Sequence, residues 1–384
     1  MKTILCVFGT RPEAIKMAPL IKEIGKAPGL QCKVCLTGQH KEMLQQVLAA
    51  FAIKADVNFN IMQQNQTIVD IHNGVLARVY GYLAENSVDM VLVHGDTSTT
   101  FAAAQAAFYH KIPVGHVEAG LRTHDRYSPF PEEMNRVLTS RIASYHFAPT
   151  KTNIQNLNNE GIVENIFLTG NTVIDALKQT VTPHYRFEEE KLNRLDYSIK
   201  TILLTAHRRE NLGEPMQQIF KAVHSLATAR EDIQFVIPVH LNPAVLNVAE
   251  TYLKNTGNVI LIKPTSVFDM HNLINKSYMV VTDSGGLQEE APSLGKPVLV
   301  LRDETERPEA VEAGTVKVIG TAGYAIISNI NILLNDESAY NKMAKSVNPY
   351  GDGHASRRIV EAISSSFAET QKPKQKFGKF TKNL

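Results

Sequence analysis

Residues 283–310 read DSGGLQEEAPSLGKPVLVLRDETERPEA. The apolar run 278–282 before it reads as a buried strand and feeds directly into Ser284, Gly285 and Gly286. A helical pattern starting at Gly286 carries two adjacent carboxylates, Glu289 and Glu290, before a short strand at 297–301 and an Arg-Pro-Glu turn at Arg307. Small residues at a strand-to-helix corner let backbone N–H groups close on an anion at the positive helix end. Glu290 lies one turn further on, within reach of a ribose. The segment reads as a grip for a nucleoside diphosphate. An ordinary βα turn has the same outline, so the rest of the chain must decide.

Short apolar runs alternate with helical patterns throughout. Residues 4–8, 31–36, 90–93, 114–117, 145–148 and 166–168 read as strands in the first half. Residues 201–205, 234–238, 259–262, 278–282, 298–301 and 316–319 read as strands in the second. Helical patterns fall between most of them, including 13–24, 41–51, 98–109 and 216–229. This alternation predicts parallel βαβ units with buried strands, an α/β fold. The polar stretch 180–200 breaks the pattern, and a strand restarts at Thr201. We expect two doubly wound, Rossmann-like domains facing a cleft: 1–170, 171–365, and a basic tail at 366–384 carrying Lys372, Lys374, Lys376, Lys379 and Lys382. Ligands in such folds sit beyond the carboxyl ends of the strands.

A chain of 384 residues suits two domains. Hydrophobic content of 43% and charged content of 20% describe a globular protein. The 40 basic and 38 acidic residues nearly cancel, which gives no electrostatic footprint for nucleic acid or an anionic membrane. No apolar run approaches a membrane span, and MKTILCVFGT reads as a first strand and its loop, so a cytoplasmic location is expected. Cys32 and Cys35 form a CxxC inside a strand-like run without a second ligand pair, and read as structural. No strand is followed by Gly-x-Gly-x-x-Gly, which argues against a tightly held dinucleotide.

Reactive groups cluster after strands. Gly9-Thr10-Arg11-Pro12-Glu13-Ala14-Ile15-Lys16 follows the first, with Arg11 and Lys16 placed to face an anion. His94-Gly95-Asp96-Thr97 and His116-Val117-Glu118-Ala119-Gly120 follow two more, and Pro131-Glu132-Glu133 opens a helix. Asp96, Glu118 and Glu132 are thus three carboxylates at one domain edge. Each has a capping role as its alternative reading. Three together, opposite a phosphate grip, suit acid/base work on a sugar carbon. His207, Arg208 and Arg209 end a strand of the second half and suit a pyrophosphate, while His240 ends the next. His94 and His116 read as loop supports. Glu132 with Glu133, and Glu289 with Glu290, are adjacent on helices and do not form facing dyads. No metal-ligand spacing appears, and no metal is expected.

Together these motifs resemble the bacterial non-hydrolysing UDP-N-acetylglucosamine 2-epimerases, over almost the whole chain and most specifically in 283–307, 93–97 and 116–120. The resemblance implies a glycosyltransferase-B-type fold, a homodimer and no organic cofactor. It implies interconversion of UDP-N-acetylglucosamine and UDP-N-acetylmannosamine for cell-envelope polysaccharide. Carried over by position, Asp96, Glu118 and Glu132 would be catalytic, with His207 at the diphosphate. Arg11, Lys16, Ser284, Gly285, Gly286 and Arg307 would hold the substrate and Glu290 the ribose. Met270 would lie near the uracil, where several relatives carry Phe. A second, activating nucleotide sugar would be sought at Gln39, Gln46, Arg208 and His240.

The C2 proton of the sugar is not adjacent to a carbonyl and is not acidic. The family route lets UDP leave C1 before that proton is taken, giving a 2-acetamidoglucal, and then reverses both steps on the other face. Cationic and N–H groups would stabilise the diphosphate, and carboxylates would shuttle the proton. The alternatives are a hydrolysing epimerase that releases N-acetylmannosamine, a glycosyltransferase of the same fold, and a non-catalytic nucleotide-sugar sensor. The three carboxylates argue against the last two.

Overall fold

A computed structural model describes residues 1–38, 41–63 and 65–370. Gln39 and the five lysines of the tail lie outside the described residues. Among the described residues thirteen strands form two parallel sheets. The first contains β1 (Lys2–Phe8), β2 (Leu30–Leu36), β3 (Val57–Asn58), β4 (Met90–His94), β5 (Val114–Val117), β6 (Tyr145–Ala148) and β7 (Ile166–Leu168), in the order 3-2-1-4-5-6-7. The second contains β8 (Lys200–Thr205), β9 (Ile233–Pro238), β10 (Val259–Ile262), β11 (Met279–Thr282), β12 (Val298–Val300) and β13 (Val316–Val318), in the order 10-9-8-11-12-13. All pairings are parallel. This is the doubly wound, two-domain arrangement of the glycosyltransferase-B type.

Every strand expected from the sequence is present, with ends shifted by at most two residues. The two-residue β3 went unread because so short a segment carries no periodicity. The central strands are buried because helices cover both faces, which is why several of them read as near-continuous apolar runs. On β2, Cys32 and Cys35 point to opposite faces: Cys32 packs on the core beneath the first helix, and Cys35 joins the core on the other side. Cys6, Cys32 and Cys35 are all free thiols.

The topology places the motifs. In each sheet the winding reverses beside the first strand, between β1 and β4 and between β8 and β11. Such switch points leave a crevice at the strands' carboxyl ends. Gly9 and Asp96 follow β1 and β4, and His207 and Ser284 follow β8 and β11. The four loops therefore stand at the two crevices.

The chain passes between the sheets twice, and the crossings touch. The Asn171 N–H donates to the Tyr350 carbonyl at 2.7 Å. The helix Thr172–Thr180 follows the first crossing and the helix Ala355–Thr370 follows the second. Asp175 of the former caps the latter, accepting from the Ala355 and Ser356 N–H groups at 3.1 and 2.8 Å. Ile359, Val360 and Ile363 of the last helix are buried in the first-sheet core with Met17 and Leu20. The end of the chain thus ties the second half back to the first. Thr150 adds a further tie by donating to Glu309 at 2.9 Å.

Gly120, at the end of the β5 motif, has φ +89°, and a Cβ there would lie 2.3 Å from the Asn153 carbonyl oxygen. Backbone strain and a backbone clash then act together. Gly120→Ala is expected to lower stability by at least about 2 kcal/mol. Urea denaturation checks this, and a midpoint equal to that of the unaltered protein would contradict it.

Candidate active site

The loop after β1 is fixed by a buried carboxylate. Thr10 caps the helix Arg11–Lys26 in a capping box with Glu13. The buried Glu13 accepts from the Gly9 and Thr10 N–H groups at 3.0 and 2.7 Å and from the Thr97 hydroxyl at 2.8 Å. One side chain therefore locks the Gly9 loop to the Asp96 loop. It also aims Arg11 and Lys16 at the crevice. Arg11 has no hydrogen-bond or ion-pair partner among the described residues. Burial lowers its pKa and the charge of Glu290 opposes this.

Lys16 is the centre of the site. Its ammonium forms a short ion pair with Glu118 and lies 3.5 Å from Glu289 of the opposite domain. Burial pushes the ammonium toward its neutral form, but the two carboxylates outweigh burial and keep it charged. The Asn171 side chain donates to both, to Glu118 at 2.8 Å and to Glu289 at 3.1 Å. Arg307 closes the far side, bonding Glu289 through Nε and Nη2 at 2.9 Å each.

Glu118 has φ +63°, a costly conformation for a side chain of its size, held here by the network around its carboxylate. Burial raises its pKa, but Lys16 outweighs that, with His94 adding to it, and holds the carboxyl well below the usual range. His94 lies 3.8 Å away, and burial brings its own pKa down to about 4, so its imidazole is neutral near pH 7. His116 supports the loop, with Nε2 2.7 Å from the Gly95 carbonyl. Asp96 makes a short ion pair with Arg136. Its pKa is raised, because burial and the Glu118 charge exceed what Arg136 and Lys16 take away. The neighbours thus differ: Glu118 is held ionised, and Asp96 takes up a proton more readily.

Glu132 and Glu133 divide their tasks. Glu133 is buried and structural, accepting from the Thr123 and His124 N–H groups at 3.1 Å and pairing with Arg136 at 3.2 Å. Glu132 is partly buried and has no partner among the described residues. It stands one turn before Arg136 on the helix Glu132–Ile142, on the face that meets Asp96.

In the second domain the helix Gly285–Ser293 follows β11, and the Ser284 side chain does not cap it. Its first N–H groups are left for another acceptor. A Cβ on Gly285 would lie 3.0 Å from the Arg307 guanidinium carbon, so the absent side chain lets that group rest against the helix start. Glu289 and Glu290 diverge as adjacent helical residues must. Glu290 faces His271, with Oε2 3.5 Å from Nε2, and His271 Nδ1 is 2.7 Å from the Thr180 hydroxyl.

Asp283 is fully buried and draws in the loop after β8, accepting from the His207 and Arg208 N–H groups at 2.8 and 2.9 Å. His207 Nδ1 lies 3.3 Å from Asp283, and its ring stacks on that of His240 at 5.8 Å. Arg208 pairs with Glu306 at 3.6 Å. Met270 is partly buried on the helix Val267–Lys276 and packs on the second-domain core. Gln46 is exposed on the helix Lys41–Ala50.

The structure thus pairs Lys16 directly with Glu118, links it to Arg307 through Glu289, and sets Asp96 beside them. Glu289, Asn171, Arg136 and Glu306 belong to the same network and were not singled out from sequence. Glu289 and Glu306 lay inside the quoted stretch 283–310, but the chain's folding, and for Glu289 the docking of the two domains onto Lys16, gives them their partners.

Residues 22–364 match the family described as UDP-N-acetylglucosamine 2-epimerase. The chain is 54% identical over 361 residues to UDP-N-acetylglucosamine 2-epimerase of Bacillus subtilis, covering 94% of each. It is similar to a crystal structure of UDP-GlcNAc 2-epimerase from Neisseria meningitidis bound to UDP-GlcNAc, with a TM-score of 0.86 and 49% identity over 94% of this chain and 100% of that one. It is also similar to the S. aureus MnaA–UDP structure, with a TM-score of 0.87 and 50% identity over 97% of this chain and 99% of that one. Sequence and fold agree, and the chain belongs to the UDP-N-acetylglucosamine 2-epimerase family.

Proposed function

We propose that the cleft interconverts UDP-N-acetylglucosamine and UDP-N-acetylmannosamine by letting UDP leave C1 and return. The observation that carries this reading is the pairing of two unlike halves in one site. A helix start and guanidiniums suited to a diphosphate face two adjacent carboxylates whose proton affinities are pushed apart.

In the forward step the C1–O bond breaks and its electron pair goes to the diphosphate. Arg307, Arg11 and the N–H groups of Gly285 and Gly286 stabilise that charge, with His207 beside the diphosphate and Ser284 at the turn. Positive charge grows at C1 and makes the C2 proton acidic. A carboxylate takes that proton, and the C2–H pair becomes the C1=C2 bond of a 2-acetamidoglucal. Asp96, Glu118 and Glu132 supply proton sites on the two faces of C2. Return of a proton to the opposite face and re-addition of UDP complete the inversion. Glu290 binds the ribose, with Met270 near the base.

The finer parts of the reading rest on separate features. Tyr80, Phe108 and Tyr109 form an exposed aromatic group on the helices Ile68–Glu85 and Ser98–Tyr109, which supports a homodimer through this face. Three free cysteines and a nucleotide-sugar substrate support a cytoplasmic enzyme that feeds cell-envelope polysaccharide synthesis. Arg208 and His240, beside His207, support a second nucleotide-sugar site at that rim. Gln46, on the first domain, is a further candidate for that second site.

Incubation with UDP-N-acetylglucosamine in D2O is expected to place deuterium at C2 and to give the manno epimer, read by proton NMR. Absence of exchange would refute the epimerase reading, and free N-acetylmannosamine as the main product would replace it with the hydrolysing reaction. Asp96→Asn, Glu118→Gln and Glu132→Gln are each expected to lower kcat by roughly a hundredfold or more while UDP still binds. Steady-state rates and calorimetry measure both, and wild-type turnover in all three would refute the assignment.

A further inference from the structure

The loop after β12 brings an unusual concentration of charge to the Gly285 helix. Arg302, Glu306 and Arg307 lie within six residues. Their side chains meet around one carboxylate. Glu306 Oε2 accepts from Arg307 Nη1 at 2.9 Å, and Oε1 lies 3.5 Å from Arg302 Nη2 and 3.6 Å from Arg208 Nη1. Arg208 belongs to the loop after β8, so the carboxylate also joins two loops of the second domain. Burial pushes Glu306 toward its neutral form, but Arg307, Arg208 and Arg302 outweigh it, with Arg136 of the first domain adding to them. Glu306 therefore stays ionised.

The position of this anion is informative. The Arg307 guanidinium rests against Gly285, at the uncapped positive end of the helix. A cation there is unfavourable by itself. Glu289 compensates it on one flank and Glu306 on the other. Glu289 is also committed to Lys16 and Asn171. Among the described residues Glu306 forms ion pairs with the three guanidiniums, and it sits where a ligand oxygen would meet the same groups. A carboxylate pairs with guanidiniums in the geometry that a phosphate uses.

We propose that Glu306 is an internal stand-in for the diphosphate, which neutralises Arg208, Arg302 and Arg307 until a nucleoside diphosphate displaces it. The proposal rests on the reading that UDP docks at the Gly285 helix. Its consequence is a weakened grip on free UDP. An enzyme that must return UDP to the sugar is slowed if the separated UDP becomes an energy sink. A competing carboxylate keeps that state shallow. Two of the arginines have a second anchor, Arg302 on Glu210 at 2.9 Å and Arg307 on Glu289, so loss of the Glu306 charge leaves their placement intact.

Calorimetry with UDP, inorganic pyrophosphate and uridine on the full-length protein tests this in Glu306→Gln, Glu306→Asp and Arg307→Ala. Glu306→Gln is expected to bind UDP and pyrophosphate roughly tenfold tighter, with uridine unchanged, and to show lower KM together with lower kcat. Glu306→Asp, which keeps the charge, is expected to bring UDP affinity back toward that of the unaltered protein. Equal or weaker binding of UDP and pyrophosphate by Glu306→Gln, with Arg307→Ala still weakening UDP, would overturn the proposal and leave the diphosphate site standing. UDP affinity unmoved by Arg307→Ala would overturn the docking reading and the proposal with it.

Discussion

The Lys16 ammonium lies between two carboxylates that belong to different domains, Glu118 after β5 and Glu289 on the Gly285 helix. Neither carboxylate would be stable as a lone charge in this buried position, because desolvation costs several kcal/mol per ion. Each is tolerated because Lys16 is there, and Lys16 because both are. Asn171 bonds the same two carboxylates from the chain crossing, and Arg307 completes the second side. The contact that joins the domains is therefore the contact that assembles the site. An arrangement of this kind ties catalytic competence to closure of the cleft.

The same network explains how similar groups acquire different tasks. Glu118 is pressed toward its ionised form by Lys16, while Asp96, paired only with Arg136, is left by burial with a raised proton affinity. Opposed shifts in adjacent carboxylates separate a charge stabiliser from a proton carrier. Across the cleft, Gly285 admits Arg307 to the helix start, so cation and N–H groups converge where the diphosphate would leave. Under the proposed reaction the stretch 283–307 takes part in the chemistry as well as in binding. It must keep UDP in the cleft while the sugar bond is broken, without binding it so tightly that it cannot return.

Much of the fold was legible because buried parallel strands are unbroken apolar runs, as in 90–93 and 298–301, and because the reactive loops directly follow them. The strand order made those loops converge, a consequence of switch points that the alternation of elements already implied. The site was legible in its motif residues: Lys16, Asp96, Glu118 and Arg307 all fall in one network. Glu289 was hidden because its neighbour Glu290 carries the local signal, and adjacent helical residues look alike in a sequence while facing different partners. Asn171 was hidden because it lies at a crossing, where neither period nor motif marks it. Glu13 was readable as a motif residue but not as the lock between the Gly9 and Asp96 loops, since that bond spans 84 residues. The two-residue β3 carries no pattern at all.

The central claim is that the bond from C1 to the diphosphate breaks and re-forms within one closed site. Positional isotope exchange tests it directly, with UDP-N-acetylglucosamine carrying 18O at the C1–O–P bridge. The account predicts that recovered nucleotide sugar has the label scrambled into the non-bridging β-phosphate oxygens, at a rate comparable with deuterium entry at C2 and with little UDP free in solution. Label that stays in the bridge while C2 exchanges and inverts would contradict it, because the epimer would then form without UDP ever leaving the sugar.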